Sequence, residues 1–316
     1  MAHTQTNPTT IVCYGEVLWD IFPHARKAGG APFNVAYNLK QMGVDAHMIS
    51  RVGKDELGDA LLKKIDSWNI PINDIQVDDK LATSTVEAHI DEHNEAHYDI
   101  INNVAWDNIQ YRQEDAELLS KSSAFVFGSL VTRNETSKNT LHQLIEAAPF
   151  RVFDINLRPP FIDLKRLQEL LHKANLVKMN KAELRELLAE GGKNYISEED
   201  SMRYLQEKYS LDEILVTKGS KGAVYLNKDT FYRSTAIKVE VVDTVGSGDS
   251  FLAGFLSGKF LGLNEENKPL SNACALGAFI TNHEGACPDY TMEEFNQFKQ
   301  EQPAPETTNY SALINQ

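Results

Sequence analysis

Short apolar runs alternate with amphipathic segments along most of the chain. The stretch from Ile11 to Leu18 predicts a first buried strand, and Ala46 to Val52 predicts a second. Between these strands, apolar residues recur with helical spacing from Pro32 to Gly43. After the second strand, a further helix is predicted over Leu57 to Trp68. Alternating strands and helices imply a parallel sheet that helices cover on both faces. The pattern therefore predicts an α/β fold.

Residues 82–101 depart from this alternation. Thr83 to Ile90 and Ala96 to Ile100 alternate polar with less polar side chains, and a polar turn separates them, which indicates a β-hairpin that we interpret as a lid over a cleft. The strand and helix alternation then resumes. The elements predicted there are strand Ala124–Gly128, helix Lys138–Ala147, strand Arg151–Ile155, helix Leu164–His172, strand Leu176–Met179, helices Lys181–Ala189 and Glu198–Lys208, strand Glu213–Thr217, a hairpin of Ala223–Leu226 and Thr230–Arg233, strand Ile237–Val242, and helices Gly248–Lys259 and Leu270–Asn282. Residues 1–10 and 302–316 are polar, and we expect the latter to form a loose tail.

Composition narrows the class of protein. The 316 residues carry 31 basic and 45 acidic side chains, a net charge of −14, which argues against a nucleic acid or an anionic membrane as partner. No run approaches the ~18 apolar residues of a membrane span, and the polar N-terminus lacks the features of a signal peptide. Cys13, Cys274 and Cys287 have no metal-ligand spacing. We expect free thiols in a reducing compartment, and hence a cytoplasmic protein.

A glycine-rich turn, Gly246-Ser247-Gly248-Asp249, precedes a helix of small and apolar residues. Such a turn presents free N–H groups at the positive end of a helix dipole, which makes an anion site. The sequence lacks the Gly-Lys-Ser/Thr of a P-loop, and Phe251 occupies the place of the third glycine of a dinucleotide fingerprint. Taken alone, the turn also fits an ordinary strand-to-helix connection. Because a carboxylate opposes phosphate binding, Asp249 fits the site best as the base of a phosphoryl transfer.

Polar side chains follow several of the predicted strands. Glu16 and Asp20 follow the first strand, Asp154, Asn156 and Arg158 follow the strand from Arg151, Asn180 and Glu183 follow the strand from Leu176, and Thr217 to Gly222 follow the strand from Glu213. Ligands of such sheets gather at the carboxyl ends of the strands, so we expect these residues and the glycine-rich turn to meet at one edge.

Two motifs resemble the signatures of the ribokinase-like (PfkB) family of sugar kinases. Gly29-Gly30 followed by Asn34 is similar to the N-terminal signature, and Asp243 to Asp249 is similar to the C-terminal one, with Ser247 where alanine is usual. The resemblance covers residues 11–300, which we take as one kinase domain. It implies a three-layer αβα sandwich with a central, mostly parallel sheet and a small β lid, made of residues 82–101 and part of 16–28.

The resemblance also implies roles for single residues. Asp249 would be the general base, and the amides of Gly246, Ser247 and Gly248 would form the anion hole. The sugar-binding set would be Asp20, Gly30, Ala31, Asn34 and Arg158. The nucleotide-binding set would be Asn180, Glu183, Thr217, Lys218, Gly219, Gly222, Gly246 and Gly248. Mg²⁺ would accompany ATP, with Glu183 acting through water, and Asp243 is where some members of the family bind a monovalent cation such as K⁺.

Within the family, Gly15 to Asp20, Gly30 to Asn34 and Ala105 to Asp107 are most similar to fructokinases. The implied reaction is transfer of the γ-phosphate of ATP to the 6-hydroxyl of fructose. Ribose, 2-keto-3-deoxygluconate and a phosphosugar stay open as alternative substrates, although Ala31-Pro32-Phe33 lacks the lysine usual in phosphosugar kinases. A non-catalytic sensor on the same fold is the alternative from another class. An open edge of the lid can pair with a second copy, as in a homodimer.

Overall fold

The computed structural model describes residues 9–22, 25–90, 96–262 and 268–309 of the chain. A large sheet of ten strands runs through its centre in the order β14-β13-β12-β11-β10-β9-β8-β1-β4-β5. Its strands are β1 (Thr10–Tyr14), β4 (Asp45–Gly53), β5 (Ile75–Asp78), β8 (Ala124–Gly128), β9 (Arg151–Asp154), β10 (Leu176–Asn180), β11 (Glu213–Thr217), β12 (Ala223–Asn227), β13 (Thr230–Ser234) and β14 (Thr307–Asn309). The seven strands from β5 to β11 pair in parallel, whereas β11 to β14 pair antiparallel.

Helices cover both faces of this sheet. They are α1 (Ala31–Gln41), α2 (Glu56–Ser67), α3 (Gln113–Lys121), α4 (Glu135–Ile145), α5 (Leu164–Leu171), α6 (Lys181–Glu190), α7 (Glu198–Tyr209), α8 (Ser247–Phe260), α9 (Lys268–Thr281) and α10 (Met292–Glu301). Two apolar clusters result. One packs β1 residues such as Ile11 and Cys13 against α1, α2, α8, α9 and α10, and the other packs Val12 and Tyr14 against α3 to α7. Successive strand residues point to opposite faces, so an apolar run serves both layers.

A second, smaller sheet lies beside the large one. Its strands are β2 (Leu18–Phe22), β3 (Ala25–Gly29), β6 (Ser84–Ile90) and β7 (Ala96–Ile100), in the order β3-β2-β6-β7. The pairing of β6 with β7 confirms the predicted hairpin, and its turn at 91–95 lies outside the described residues. The three-layer αβα fold with a mostly parallel sheet and an additional small sheet is therefore confirmed.

The structure corrects three local predictions. The first strand ends at Tyr14, and Leu18 already belongs to β2 of the small sheet, because the chain turns at Gly15 with φ +141°. Ile237 to Val242 forms no strand, although its β-branched residues favour one. The edge of β13, beside which such a strand could pair, is occupied by Thr307 to Asn309. The same pairing shows that part of the polar C-terminal segment is ordered rather than loose.

A bilayer demands long, apolar helices. None of those within the described ranges is long and apolar enough to span a membrane.

Candidate active site

A cavity of about 1300 Å³ opens at the carboxyl edge of the parallel strands. Residues after β1, β9, β10 and β11 line it together with the first turns of α1 and α8. Of the residues predicted for the site, the lining includes Asp20, Gly30, Ala31, Asn34, Arg158, Asn180, Thr217, Gly219, Gly222, Gly246, Ser247, Gly248 and Asp249. Leu18, Val86 and Ile100 of the small sheet line one end, and residues 236–239 with Cys274 and Ala278 line the other. The cavity thus has a small-sheet end and an end beside α9, with the start of α8 contributing to its wall.

The glycine-rich turn leaves amide groups unpaired at the N-terminus of α8. Gly246 caps the helix with φ +71°, a left-handed conformation that glycine adopts without strain. The N–H of Ser247 donates to the carbonyl of Thr244 at 3.3 Å, whereas those of Gly246 and Gly248 have no partner within the described ranges. Because the helix dipole adds positive potential, these two amides can hold an anion.

Asp249 lies in the first turn of α8 and is buried. Its Oδ2 accepts a 2.8 Å hydrogen bond from Nδ2 of Asn34 on α1, which fixes the carboxylate in the wall of the cavity. Cys287 Sγ approaches the Oδ1 of Asn34 at 3.4 Å, so the amide group is held on both sides. The carboxylate and the free amides therefore share one helix turn, as a base and an anion site must for phosphoryl transfer.

Two acids line the small-sheet end of the cavity. Burial raises the pKa of Glu16 to about 7. Burial, together with the nearby carboxylates of Asp243 and Asp249, raises the pKa of Asp20 to about 6. The Oε2 atom of Glu16 has no hydrogen-bond partner within the described ranges. This end of the cavity therefore offers acceptors for hydroxyl groups.

The backbone at the start of α1 approaches this acidic end closely. Gly30 has φ +115°, and a Cβ atom there would overlap the main chain of Glu16. Across the cavity the exposed side chain of Arg158 donates to its neighbouring carbonyl, that of Leu157, at 3.1 Å. Glycine at position 30 lets α1 begin against the end of β1, and this brings Asn34 into the cavity wall.

The cavity lining lacks three residues that were predicted for the site, Lys218, Glu183 and Asp243. Lys218 lies 4.0 Å from the carboxylate of Glu198. Glu183 forms a capping box with Asn180 at the start of α6, and its other oxygen accepts from the Leu157 N–H at 2.9 Å. Asn180 and Glu183 therefore cap the start of α6, and Asn180 also lines the cavity.

Asp243 holds the turn together. Its two carboxylate oxygens accept hydrogen bonds from the N–H groups of Val245 at 3.0 Å and Gly285 at 2.9 Å. No group of three or more acidic, histidine or cysteine side chains that could hold a metal ion occurs among the residues that the structure describes. A Mg²⁺ ion at this edge would be held mainly by phosphate oxygens and water.

The segment from Glu284 to Cys287 touches several parts of the site. Glu284 pairs with Lys27 of β3 at 2.6 Å, and Gly285 donates to Asp243. A Cβ atom at Gly246 would overlap Ala286, so this segment packs directly against the helix cap. The segment connects the small sheet with the anion site.

Sequence reasoning gave no role to two further residues of the cavity wall, Glu16 and Lys178. Glu16 follows the first strand and was visible as an acid at the correct edge. Lys178 had a weaker signal, a charged residue inside the apolar strand Leu176 to Met179. Both side chains are buried.

The fold and the cavity define an αβα protein with a deep cleft, in which unpaired helix amides lie beside a buried carboxylate. Residues 9–291 match the family described as pfkB family carbohydrate kinase, and the chain belongs to that family. The ribokinase-like resemblance of the two glycine motifs is thereby confirmed. The probable chloroplastic fructokinase-6 of Arabidopsis thaliana is 30% identical over 322 residues, covering 92% of this chain and 82% of the relative.

A second relative and a solved structure agree with this assignment. A fructokinase of Salmonella typhimurium is 28% identical over 295 residues, and the match covers 86% of this chain and 93% of that relative. The crystal structure of fructokinase with bound ATP from Xylella fastidiosa superposes with a TM-score of 0.80 at 21% identity, covering 92% of this chain and 98% of that one. At that identity the structure supports the fold, and the relatives support a sugar kinase.

Proposed function

We propose that the protein is a fructokinase that transfers the γ-phosphate of ATP to the 6-hydroxyl of fructose. The observation that carries the proposal is the start of α8, where buried Asp249 lies beside the unpaired amides of Gly246 and Gly248 in one cavity. The relatives named fructokinase supply the substrate.

The chain's own groups account for the chemistry. Asp249 takes the proton of the sugar hydroxyl while its oxygen attacks the γ-phosphorus in line and ADP leaves. The amides of Gly246 and Gly248 stabilise the charge on the transferring group, and the cavity wall positions both reactants. Mg²⁺ carried in with the nucleotide would neutralise phosphate charge, and Asn180 in the cavity wall, with Glu183 behind it in the capping box of α6, would hold its water shell.

The acids of the small-sheet end favour a neutral sugar. Glu16 and Asp20 both line that end, and a substrate carboxylate or phosphate would be repelled by them. Arg158 is the counter-charge that 2-keto-3-deoxygluconate would require. Asp20, mostly ionised near pH 7, and Glu16, about half ionised there, support fructose over the acidic sugar, and ribose remains the neutral competitor.

A substrate panel with purified protein and MgATP tests the proposal. We expect fructose to give a kcat/KM at least about tenfold above ribose and 2-keto-3-deoxygluconate, because a site built to bind particular hydroxyls discriminates strongly. ³¹P NMR of the product should show the 6-phosphate. A higher kcat/KM for either competitor would replace fructose as substrate. Binding of sugar and ATP without turnover would favour the non-catalytic sensor.

The dependence on ions is tested in the same assay. Removal of Mg²⁺ with a chelator should abolish turnover, because the phosphate charge is then uncompensated. A K⁺ site at Asp243 predicts higher activity in potassium than in tetramethylammonium chloride at equal ionic strength. Equal rates in the two salts would remove K⁺ from the proposal.

A further inference from the structure

Lys178 is a lysine buried within the central sheet. The residue is only 5% exposed, and its Nζ donates to Oδ2 of Asp154 at 2.9 Å. The two residues are register partners on β10 and β9. Burying two charges costs several kcal/mol for each ion, and an apolar pair of similar volume is often as stable. Fold stability alone therefore gives no reason for this pair.

The ammonium group of Lys178 lies against the first turn of α8. A Cβ atom at Gly248 would stand 3.1 Å from Nζ, and Lys178 lines the same cavity as the glycine-rich turn. The N-terminus of a helix carries partial positive charge, so a cation beside it is unfavourable unless an anion balances both. Asp154 balances the lysine, but the amides of Gly246 and Gly248 remain unpaired within the described ranges.

The donors of Lys178 are also incompletely used. An ammonium group has three N–H donors, and one hydrogen bond of Nζ, to Asp154, occurs among the contacts of the described residues. Two donors and two backbone amides thus line one part of the cavity. A tetrahedral anion with several oxygens matches such a set.

We propose that Lys178 binds the phosphoryl group that is transferred, its ammonium donating to an oxygen of the terminal phosphate above the amides of Gly246 and Gly248. Asp154 is the positioning residue that holds the ammonium there. The inference rests on the proposed kinase function and adds a cation to its anion site.

Lys178 contributes charge to the step and exchanges no proton. The sugar oxygen loses its proton to Asp249 and forms the new bond to phosphorus, while the bond from phosphorus to the ADP oxygen breaks and ADP keeps the electron pair. Burial lowers the pKa of Lys178, but the carboxylates of Asp154 and Asp249 outweigh burial, so the net pKa lies above its ordinary value. The ammonium therefore stays protonated throughout.

The test uses K178M/D154N, which removes both charges and leaves no uncompensated buried carboxylate. Loss of one preorganised stabilising group should lower kcat by about 10²- to 10³-fold. By calorimetry, affinity for a non-hydrolysable ATP analogue should fall at least about tenfold, whereas affinity for ADP should change by less than about threefold, because ADP lacks the group that Lys178 binds. The matched control is K259M/E213Q, which likewise removes both charges of a lysine–carboxylate pair, here outside the cavity lining, and should leave both quantities unchanged.

Two results would overturn the inference. One is a folded K178M/D154N with a kcat within about threefold of the wild type, and the other is an equal fall in affinity for the ATP analogue and for ADP. A purely structural role would give the second result together with a lower Tm. The activity of the wild type with the sugars tests the proposed function separately. If the wild type phosphorylates none of the sugars, that function fails, while the nucleotide affinities still decide whether Lys178 binds the terminal phosphate.

Discussion

Asn34 and Asp249 are joined by a 2.8 Å hydrogen bond although 215 positions separate them in the chain. Asn34 belongs to α1 and Asp249 to α8, and the two helices pack against each other on one face of the sheet. The bond links two glycine-containing motifs that the sequence shows far apart. The amide donor leaves the second carboxylate oxygen of Asp249 available to a substrate.

D249N should abolish most of the turnover while nucleotide binding persists. Removing a general base costs on the order of 10²- to 10⁴-fold in kcat, and the amide is nearly isosteric with the carboxylate. Initial rates with fructose and calorimetric titration with MgATP measure the two quantities. D163N is the control, because Asp163 is likewise an acid at the start of a helix, α5, but does not line the cavity. Turnover unchanged in D249N would exclude the base role.

N34A should lower kcat/KM about 10- to 100-fold, because a hydrogen bond to a charged group contributes roughly 1.5–3 kcal/mol. The effect should act through Asp249. In a double-mutant cycle, N34A/D249N should therefore be about as slow as D249N alone. Fully additive losses would show that Asn34 acts independently of Asp249, for example on the sugar itself.

Glu16 should make sugar binding dependent on pH. Burial raises its pKa to about 7 and that of Asp20 to about 6, so both carboxylates gain protons as the pH falls from 8 to 5. A protonated carboxyl is a poorer acceptor for sugar hydroxyls, and KM for the sugar should rise over this range. In E16Q the part of this change centred near pH 7 should disappear. A pH profile of KM identical in wild type and E16Q would contradict the assignment.

The same residue should cost stability at neutral and alkaline pH. The folded state holds the Glu16 proton more tightly than the unfolded chain, whose value is near 4.5, so the free energy of unfolding falls as the pH rises between 4.5 and about 7. E16Q is free of this penalty. The free energy of unfolding, measured with urea, should be nearly equal in E16Q and wild type at pH 4.5 and about 3 kcal/mol higher in E16Q at pH 8. A constant difference at both pH values would show that Glu16 does not titrate between them.

G246A should destabilise the protein and inactivate it. Alanine at φ +71° costs about 1–2 kcal/mol, and its methyl group would also overlap Ala286. G43A is the control, because Gly43 has φ +83° with open space around it, and it should show the backbone cost with activity retained. Urea unfolding and kcat measure the two effects. If G246A and G43A lose equal stability, the contact with Ala286 carries no cost.

The sequence predicts most of the sheet because its signal is local. The apolar strand Leu176 to Met179 and the helix after it are found nearly where expected, since periodicity and capping are properties of neighbouring residues. The strand predicted at Ile237 to Val242 was wrong. A strand needs an unpaired edge to bond with, and the edge of β13 pairs with residues about 70 positions later in the chain.

The site also contains features that are local in the sequence and features that depend on long-range contacts. Its glycines and Asp249 form motifs and are visible in the sequence, and most of the residues predicted from them do line the cavity. The pairing of Lys178 with Asp154 depends on the register of two strands, and the bond of Asn34 to Asp249 depends on helix packing. Long-range relationships of this kind have no local pattern from which to predict them.

The segment from Glu284 to Cys287 links the two ends of the cavity through direct contacts. It is tied to β3 through Lys27, to Asp243 and Gly246 at the anion turn, and to Asn34 on α1. A ligand that shifts the small sheet is expected to shift the cap of α8 through these contacts. By linkage, sugar then changes the affinity for nucleotide by the same factor as nucleotide changes the affinity for sugar. Where that factor exceeds one, the contacts of this segment favour the complex that holds both substrates over nucleotide bound with water alone.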